Sequence, residues 1–167
     1  PRPTRAEVSD VASAIYERVD AVMLSAETAM GDFPVESVET MARIAREIER
    51  DETHFKPMID MDMVSVNHEI TAQLARSAVR ASTNLPIRYV VLDTATGRTG
   101  RYLAAFRGRC QVLAVCYTRH AQRILALSYG VVPILREQQS HERYQDRYHF
   151  VIDALDFIQR KHAIEPT

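Results

Sequence analysis

Helical spacing of apolar residues dominates the first fifty positions of the chain. The first such stretch predicts a helix over residues 5–18. Thr4 and Glu7 stand at its start with the spacing of a capping box, in which each side chain bonds the other residue's backbone N–H. A second helix is predicted over residues 34–50, with Pro34 in its first turn. The apolar residues of the two helices are Val8, Val11, Ala12, Ile15 and Val19, and Val38, Met41, Ala45 and Ile48.

A short apolar run lies between these two helices. It is too short for a helix and is bounded by polar residues, so a strand buried on both faces is predicted over Ala21–Ser25. Ser25, Glu27 and Thr28 follow at once. Because loops at the carboxyl ends of strands carry the chemistry in α/β barrels, these three are candidate cleft-lining residues. The alternative is a turn in which Glu27 and Thr28 only satisfy backbone groups.

Residues 53–66 interrupt the periodic pattern. They hold Pro57, three methionines and scattered acidic residues without a clear period, and they are predicted to link two units. A helical stripe follows, with Asn67 as its candidate N-cap. The residues predicted to face the core in this helix are Ile70, Leu74, Ala78 and Ala81.

Three apolar runs alternate with helical stretches in the rest of the chain. Strands are predicted over residues 87–92, 111–116 and 131–135. Helices are predicted over residues 98–106, 119–128 and 140–160, and Thr118 can cap the second of them. Strands separated by helices of this length pair in parallel through right-handed crossovers, so this second unit is predicted to be an α/β domain.

Composition limits the partners that the chain is expected to have. It has 167 residues, of which 46% are hydrophobic and 26% charged, and a net charge of -1. That balance gives no reason to expect nucleic acid or a membrane surface as a partner, and no apolar run approaches the roughly 20 residues of a membrane span. Cys110 and Cys116 lack a CxxC spacing and the six histidines lack a metal-ligand spacing. Neither a disulfide framework nor a metal site is predicted, and a reducing cytoplasm is expected.

The loop after the predicted strand 87–92 is a candidate anion site. The hydroxyls of Thr94, Thr96 and Thr99, the backbone N–H groups and the positive end of the following helix all favour an anion. Gly97 lets the backbone come close to a ligand, and Arg98 adds a charge. The alternative is a helix start capped by Thr94 or Thr96 with no ligand. Further cations near this loop either extend its field or line a solvated face: Arg101, Arg107 and Arg109.

Several motifs in this sequence resemble the pyruvate kinase family. Three ordered segments look like the last helix-strand-helix part of that family's catalytic barrel: Pro3–Ala12 (PTRAEVSDVA), Met23–Thr28 (MLSAET) and Gly31–Pro34 (GDFP). The sequence TATGRT at Thr94–Thr99 is similar to the loop that holds a sugar phosphate in the family's carboxyl-terminal domain.

The resemblance implies a fold and a domain arrangement. The fold class is α/β, with a fragment of a (β/α)8 barrel followed by an open, mainly parallel α/β domain. The barrel segment is expected at residues 1–52, the linker at 53–66 and the carboxyl-terminal domain at 67–167. The family has two more strands after the last helix, and the chain is expected to lack them. With no initiator methionine before Pro1, it is expected to be a piece of a larger protein.

The resemblance also implies a function. The chain is expected to be the carboxyl-terminal portion of a pyruvate kinase, the glycolytic enzyme that moves a phosphoryl group from phosphoenolpyruvate to ADP, using Mg²⁺ and K⁺. The family's catalytic lysine and its metal ligands correspond to positions upstream of Pro1, so no metal ligand is assigned here and the chain alone is expected to be inactive. Met30 stands where many members have a lysine that meets nucleotide phosphates, so nucleotide contact is not expected there. A homo-oligomer is expected.

A second hypothesis belongs to a different functional class. The chain would then be a regulatory or oligomerisation module that binds a phosphorylated metabolite or another anion. Its site would be the Thr94–Thr99 loop, with Thr94, Thr96, Gly97, Arg98 and Thr99 as the binding residues.

Overall fold

A computed structural model describes residues 2–51, 57–58, 70–136, 152 and 155–160. The chain divides into two compact units, Pro1–Lys56 and Pro57–Thr167. Most of the predicted linker, the candidate cap Asn67 and most of the predicted helix 140–160 lie outside the described residues. No helix in the described ranges combines the length and the apolar composition needed to cross a bilayer.

The first unit begins with the predicted capped helix α1 (Arg5–Tyr16). The Thr4 hydroxyl accepts from the backbone N–H of Glu7 at 3.3 Å, and the Glu7 carboxylate accepts from the backbone N–H of Thr4 at 2.7 Å. Hydrogen bonds from the Thr4 backbone and side chain lower the pKa of Glu7. The helix ends two residues earlier than predicted, because Arg18 takes a left-handed conformation with a φ of 63°.

The prediction of a strand at Ala21–Ser25 is wrong. These residues form neither helix nor strand, and the Met23 side chain is 87% exposed. A strand needs a neighbouring strand to bond its backbone groups, and none of the described residues of Pro1–Lys56 is in a strand. The short helix α2 (Ala26–Ala29), which follows Ser25, was not predicted.

The second predicted helix is present as α3 (Pro34–Glu49), with Pro34 as its first residue. It packs against α1. With the segment between the helices, α1 and α3 line a cavity of about 620 Å³. Ile15 is the one buried hydrophobic residue among those described in this unit, so the unit leaves much of its apolar surface exposed.

The second unit is built on a parallel sheet of β1 (Tyr89–Thr94), β2 (Gln111–Cys116) and β3 (Val131–Leu135), in that order. Both pairings are parallel, as predicted, and β2 and β3 have the predicted bounds. The first strand begins two residues late, because the Ile87 N–H bonds to the Leu85 carbonyl in a turn and pairing starts at Tyr89 with Gln111. It also continues two residues further, to Thr94.

Three helices cover one face of this sheet: α4 (Ile70–Asn84), α5 (Arg98–Ala105) and α6 (Arg119–Leu125). Their core is centred on Leu103, Phe106 and Leu125. Phe157 and Ile158, from the helical residues 155–160, pack on the opposite face. The sheet is therefore covered on both sides, which suits strands that are apolar on both faces.

The prediction of which face of α4 is buried is wrong. Ile70 is 78% exposed and Leu74 is 65% exposed. The buried residues lie on the other stripe and are small: Ala72, Ala75, Val79 and Ser82. Both stripes have helical spacing, and small side chains allow α4 to approach its neighbour α5 closely.

The observed burial of α4 predicts a large effect on stability for one substitution and a small effect for another. Val79→Ala should lower the free energy of unfolding by about 2 kcal/mol, because it removes two buried methyl groups and leaves a cavity. Leu74→Ala, which removes more apolar atoms from an exposed position, should change it by less than about 0.5 kcal/mol. Urea unfolding of both variants measures this. A larger loss for Leu74→Ala would contradict the packing described.

Candidate functional site

Two loops meet at the carboxyl edge of the parallel sheet. Because β1 and β2 are neighbours and run in the same direction, the loop that follows each strand emerges at the same edge. The Tyr117 N–H donates to the Thr94 carbonyl at 3.2 Å, and the Thr118 hydroxyl donates to the Ala95 carbonyl at 3.2 Å. The Thr118 hydroxyl also accepts from the Ala121 N–H at 3.1 Å, which caps α6 as predicted.

Thr94 and Gly97 fix the conformation of the first loop. The Thr94 side chain is buried, and its hydroxyl accepts from the buried Gly97 N–H at 2.8 Å. Gly97 has a φ of 80°, which favours glycine, and a Cβ there would lie 3.2 Å from Leu125 Cγ. At Gly100 an added Cβ would lie 2.8 Å from Leu125 Cδ2. These glycines let the start of α5 lie close to α6.

The other predicted residues of this loop lie at its surface. Thr96 and Arg98 are exposed and Thr99 is half-buried. The Thr96 hydroxyl accepts from the Arg98 N–H at 3.4 Å, a long hydrogen bond. The first turn of α5 has no acidic residue, so its N–H groups and the guanidinium of Arg98 favour an anion, whereas the exposed Asp93, one residue before the loop, adds a negative charge. Two hydroxyls of the loop, those of Thr94 and Thr96, already accept hydrogen bonds from its own backbone.

The loop between β2 and α6, which contains Thr118, lies at the same edge, and the sequence did not predict it as part of the site. The sequence predicted Thr118 only as a helix cap, and its place beside Thr94 follows from the pairing of β1 with β2. Arg119 is exposed as the first residue of α6. Arg107 and Arg109 follow the carboxyl end of α5 and so lie away from the Thr94–Thr99 loop.

Ser25, Glu27 and Thr28 form an exposed turn in the first unit. The Ser25 N–H donates to the Glu27 carboxylate at 2.8 Å, and the Thr28 hydroxyl donates to the Ser25 carbonyl at 3.3 Å. Hydrogen bonds from the backbone N–H groups of Glu27 and Ser25 lower the pKa of Glu27. The turn thus holds an ionised carboxylate beside two hydroxyls.

Comparison with known proteins gives the same family for both units. Residues 72–166 match the family model for the pyruvate kinase alpha/beta domain, and residues 1–38 match that for the pyruvate kinase barrel domain. The pyruvate kinase of Methylorubrum extorquens is 42% identical over 142 residues, which is 84% of this chain and 29% of that protein. The pyruvate kinase of Borreliella burgdorferi is 33% identical over 165 residues, which is 98% of this chain and 33% of that protein.

A third relative shows a similar extent of matching. The pyruvate kinase of Sporosarcina psychrophila is 39% identical over 140 residues, which is 84% of this chain and 24% of that protein. The chain therefore spans about a quarter to a third of the length of these curated relatives.

The two threonine hydroxyls of the loop should differ in their effect on stability. Thr94→Val should lower the free energy of unfolding by about 1–3 kcal/mol, because it leaves the buried Gly97 N–H without its acceptor. Thr96→Val, at an exposed position, should change it by less than about 0.5 kcal/mol. Urea denaturation of both variants checks this. Equal losses would show that Thr94 does not fix the loop.

Proposed function

The chain belongs to the pyruvate kinase family, and we propose that it is the carboxyl-terminal portion of a pyruvate kinase. The whole enzyme would transfer a phosphoryl group from phosphoenolpyruvate to ADP and give pyruvate and ATP. One observation carries this proposal: matches to the barrel domain and to the alpha/beta domain follow each other along one chain. The exposed apolar surface of Pro1–Lys56 supports it, because a barrel segment buries such surface against further barrel elements.

We assign no magnesium ligand to the described residues. Phosphoryl transfer needs cations to offset the charge of the moving group, and the family supplies them as Mg²⁺, K⁺ and a lysine. No three His, Cys, Asp or Glu side chains in the described ranges lie close enough together to hold a metal ion. The family resemblance leads us to expect that the groups that neutralise the phosphoryl charge correspond to positions upstream of Pro1.

Ser25, Glu27 and Thr28 would line the substrate cleft from this chain. Glu27 is ionised and carries the wrong sign of charge to neutralise a phosphoryl group, so its role would be to orient neighbouring cationic or hydrogen-bonding groups. Its bond to the Ser25 N–H would hold the turn, and the hydroxyls of Ser25 and Thr28 would supply hydrogen bonds. These three residues would position neighbouring groups and make polar contacts with the substrate.

The Thr94–Thr99 loop would bind a phosphorylated effector, such as a sugar phosphate, and give the enzyme allosteric control. Thr96, Arg98 and Thr99 would contact the phosphate, with Thr94 and Gly97 fixing the backbone that presents them. The barrel match of residues 1–38 does not favour a regulatory module with no part in an enzyme.

The oligomeric state and the cellular location of the enzyme are also part of the proposal. Exposed apolar residues on α4 and just after its end favour a homo-oligomer, since Ile70, Leu74 and Leu85 are each more than half exposed. Cys110 and Cys116 are both free, which fits a cytoplasmic enzyme.

A chimera tests the enzymatic proposal. The matching residues of Methylorubrum extorquens pyruvate kinase are replaced by this chain, and ATP formation from phosphoenolpyruvate and ADP is measured with Mg²⁺ and K⁺. The chimera should be active, because it joins the chain to the missing charged groups, while the isolated 167-residue chain should form no ATP.

Two outcomes would contradict this. A chimera that melts near the temperature of its parent but is inactive would refute the enzymatic role. Activity in the isolated chain would show that the neutralising groups lie within it.

Thermal shift tests the effector site. Fructose 1,6-bisphosphate or another sugar phosphate should stabilise the chain by about 2.7 kcal/mol at a hundredfold excess over its Kd. The double variant Thr96→Ala with Arg98→Ala should lose the shift, because it removes a hydroxyl and a charge from the loop. Arg109→Ala removes an exposed charge away from the loop and should keep it. A shift that survives in the double variant would place the ligand elsewhere, and no shift with any sugar phosphate would refute the site.

A further inference from the structure

The charges of the chain are unevenly divided between its parts. Residues 70–136 contain ten arginines, no lysine and one acidic residue, Asp93, whereas residues 1–56 contain twelve acidic and seven basic residues. The whole-chain charge of -1 therefore conceals a strongly basic segment. That segment coincides with α4, the three strands, α5 and α6.

Three of these ten arginines are half-buried and stack on aromatic rings, and the exposed Arg88 also lies over one, at 5.9 Å. Arg76 lies over the ring of Phe106 at 5.3 Å, and Arg107 lies over Tyr129 at 4.4 Å. The third, Arg136, stacks on an aromatic ring of the opposite face of the sheet at 5.5 Å. All three are half-buried, so cation–π contact and packing account for their presence.

The other seven arginines are exposed, and five of them lie on the helices of one face. These helices, α4, α5 and α6, share a single core against the sheet, so their outward surfaces lie on the same side of the unit. The five residues, here termed the arginine face, are Arg80, Arg98, Arg101, Arg119 and Arg123.

Helix stability does not explain two members of the arginine face. Arg98 and Arg119 are the first residues of α5 and α6, where the helix dipole disfavours a positive charge. Neither helix has an acidic residue in its first turn, whereas α1 and α3 have Glu7 and Glu36 there. The arrangement places five exposed positive charges on one side of the unit, which suits an anionic partner.

We propose that the arginine face binds nucleic acid through its phosphate backbone. The planar guanidinium groups match phosphate oxygens with two hydrogen bonds each. Arg101 and Arg123 lie beyond the Thr94–Thr99 loop, one within α5 and one in the last turn of α6, so a small effector in that loop does not account for them. A polymer of phosphates contacts several such groups at once. This binding is independent of phosphoryl transfer.

Fluorescence anisotropy with a short labelled single-stranded RNA tests the proposal on the 167-residue chain. Backbone binding releases counterions, so the plot of log K against log salt should have a slope of about -0.7 for each phosphate neutralised, or about -3.5 for five arginines. Arg101→Gln with Arg123→Gln should make the slope shallower by about 1.4.

The control is Arg43→Gln with Arg46→Gln in α3. It makes the same change of charge at one exposed mid-helix arginine and one exposed last-turn arginine, and it should leave the slope unchanged. Three results would overturn the proposal: no binding at low salt, equal slopes for the two double variants, or competition by polyglutamate as strong as by unlabelled RNA. The last result would assign the arginine face to an acidic protein surface.

Discussion

Thr94 ties together the carboxyl edge of the parallel sheet. Its carbonyl accepts from Tyr117 at the end of the neighbouring strand, and its buried hydroxyl accepts from Gly97 at the start of α5. One residue thus joins the end of β1, the end of β2 and the turn into the next helix. The surface positions of Thr96 and Arg98, and with them the candidate anion site, depend on this arrangement.

The two units differ in how much of their apolar surface they bury. The sheet unit covers both faces of its strands and has a core that includes fully buried Leu125 and Phe106. The Pro1–Lys56 unit has helices without a sheet and exposes Met23 and Met30 almost fully. This difference agrees with a family in which the first segment belongs to a larger barrel and the second forms a domain of its own.

Local signals predicted the elements whose stability is local. The capping box, the Thr118 cap and the buried strands β2 and β3 were all correct. The strand at Ala21–Ser25 failed because its partners are not encoded nearby. The prediction of the buried face of α4 was wrong because two stripes of apolar residues have the same helical period. Packing buries the stripe with Val79 and leaves Leu74 exposed. The sequence predicted the Thr94–Thr99 loop as a site but not the adjacent loop that contains Thr118. Only the pairing of β1 with β2 places that second loop beside the first.

Amide hydrogen exchange of the wild-type chain tests the tie at Thr94 most directly. If Thr94 holds both partners, the amides of Gly97 and Tyr117 exchange as slowly as those of β2, although both lie outside the strands. The amide of Ala95, an exposed residue of the same loop, is taken as the fast reference. Exchange of Gly97 as fast as Ala95 would contradict a fixed edge and with it the proposed presentation of the anion site.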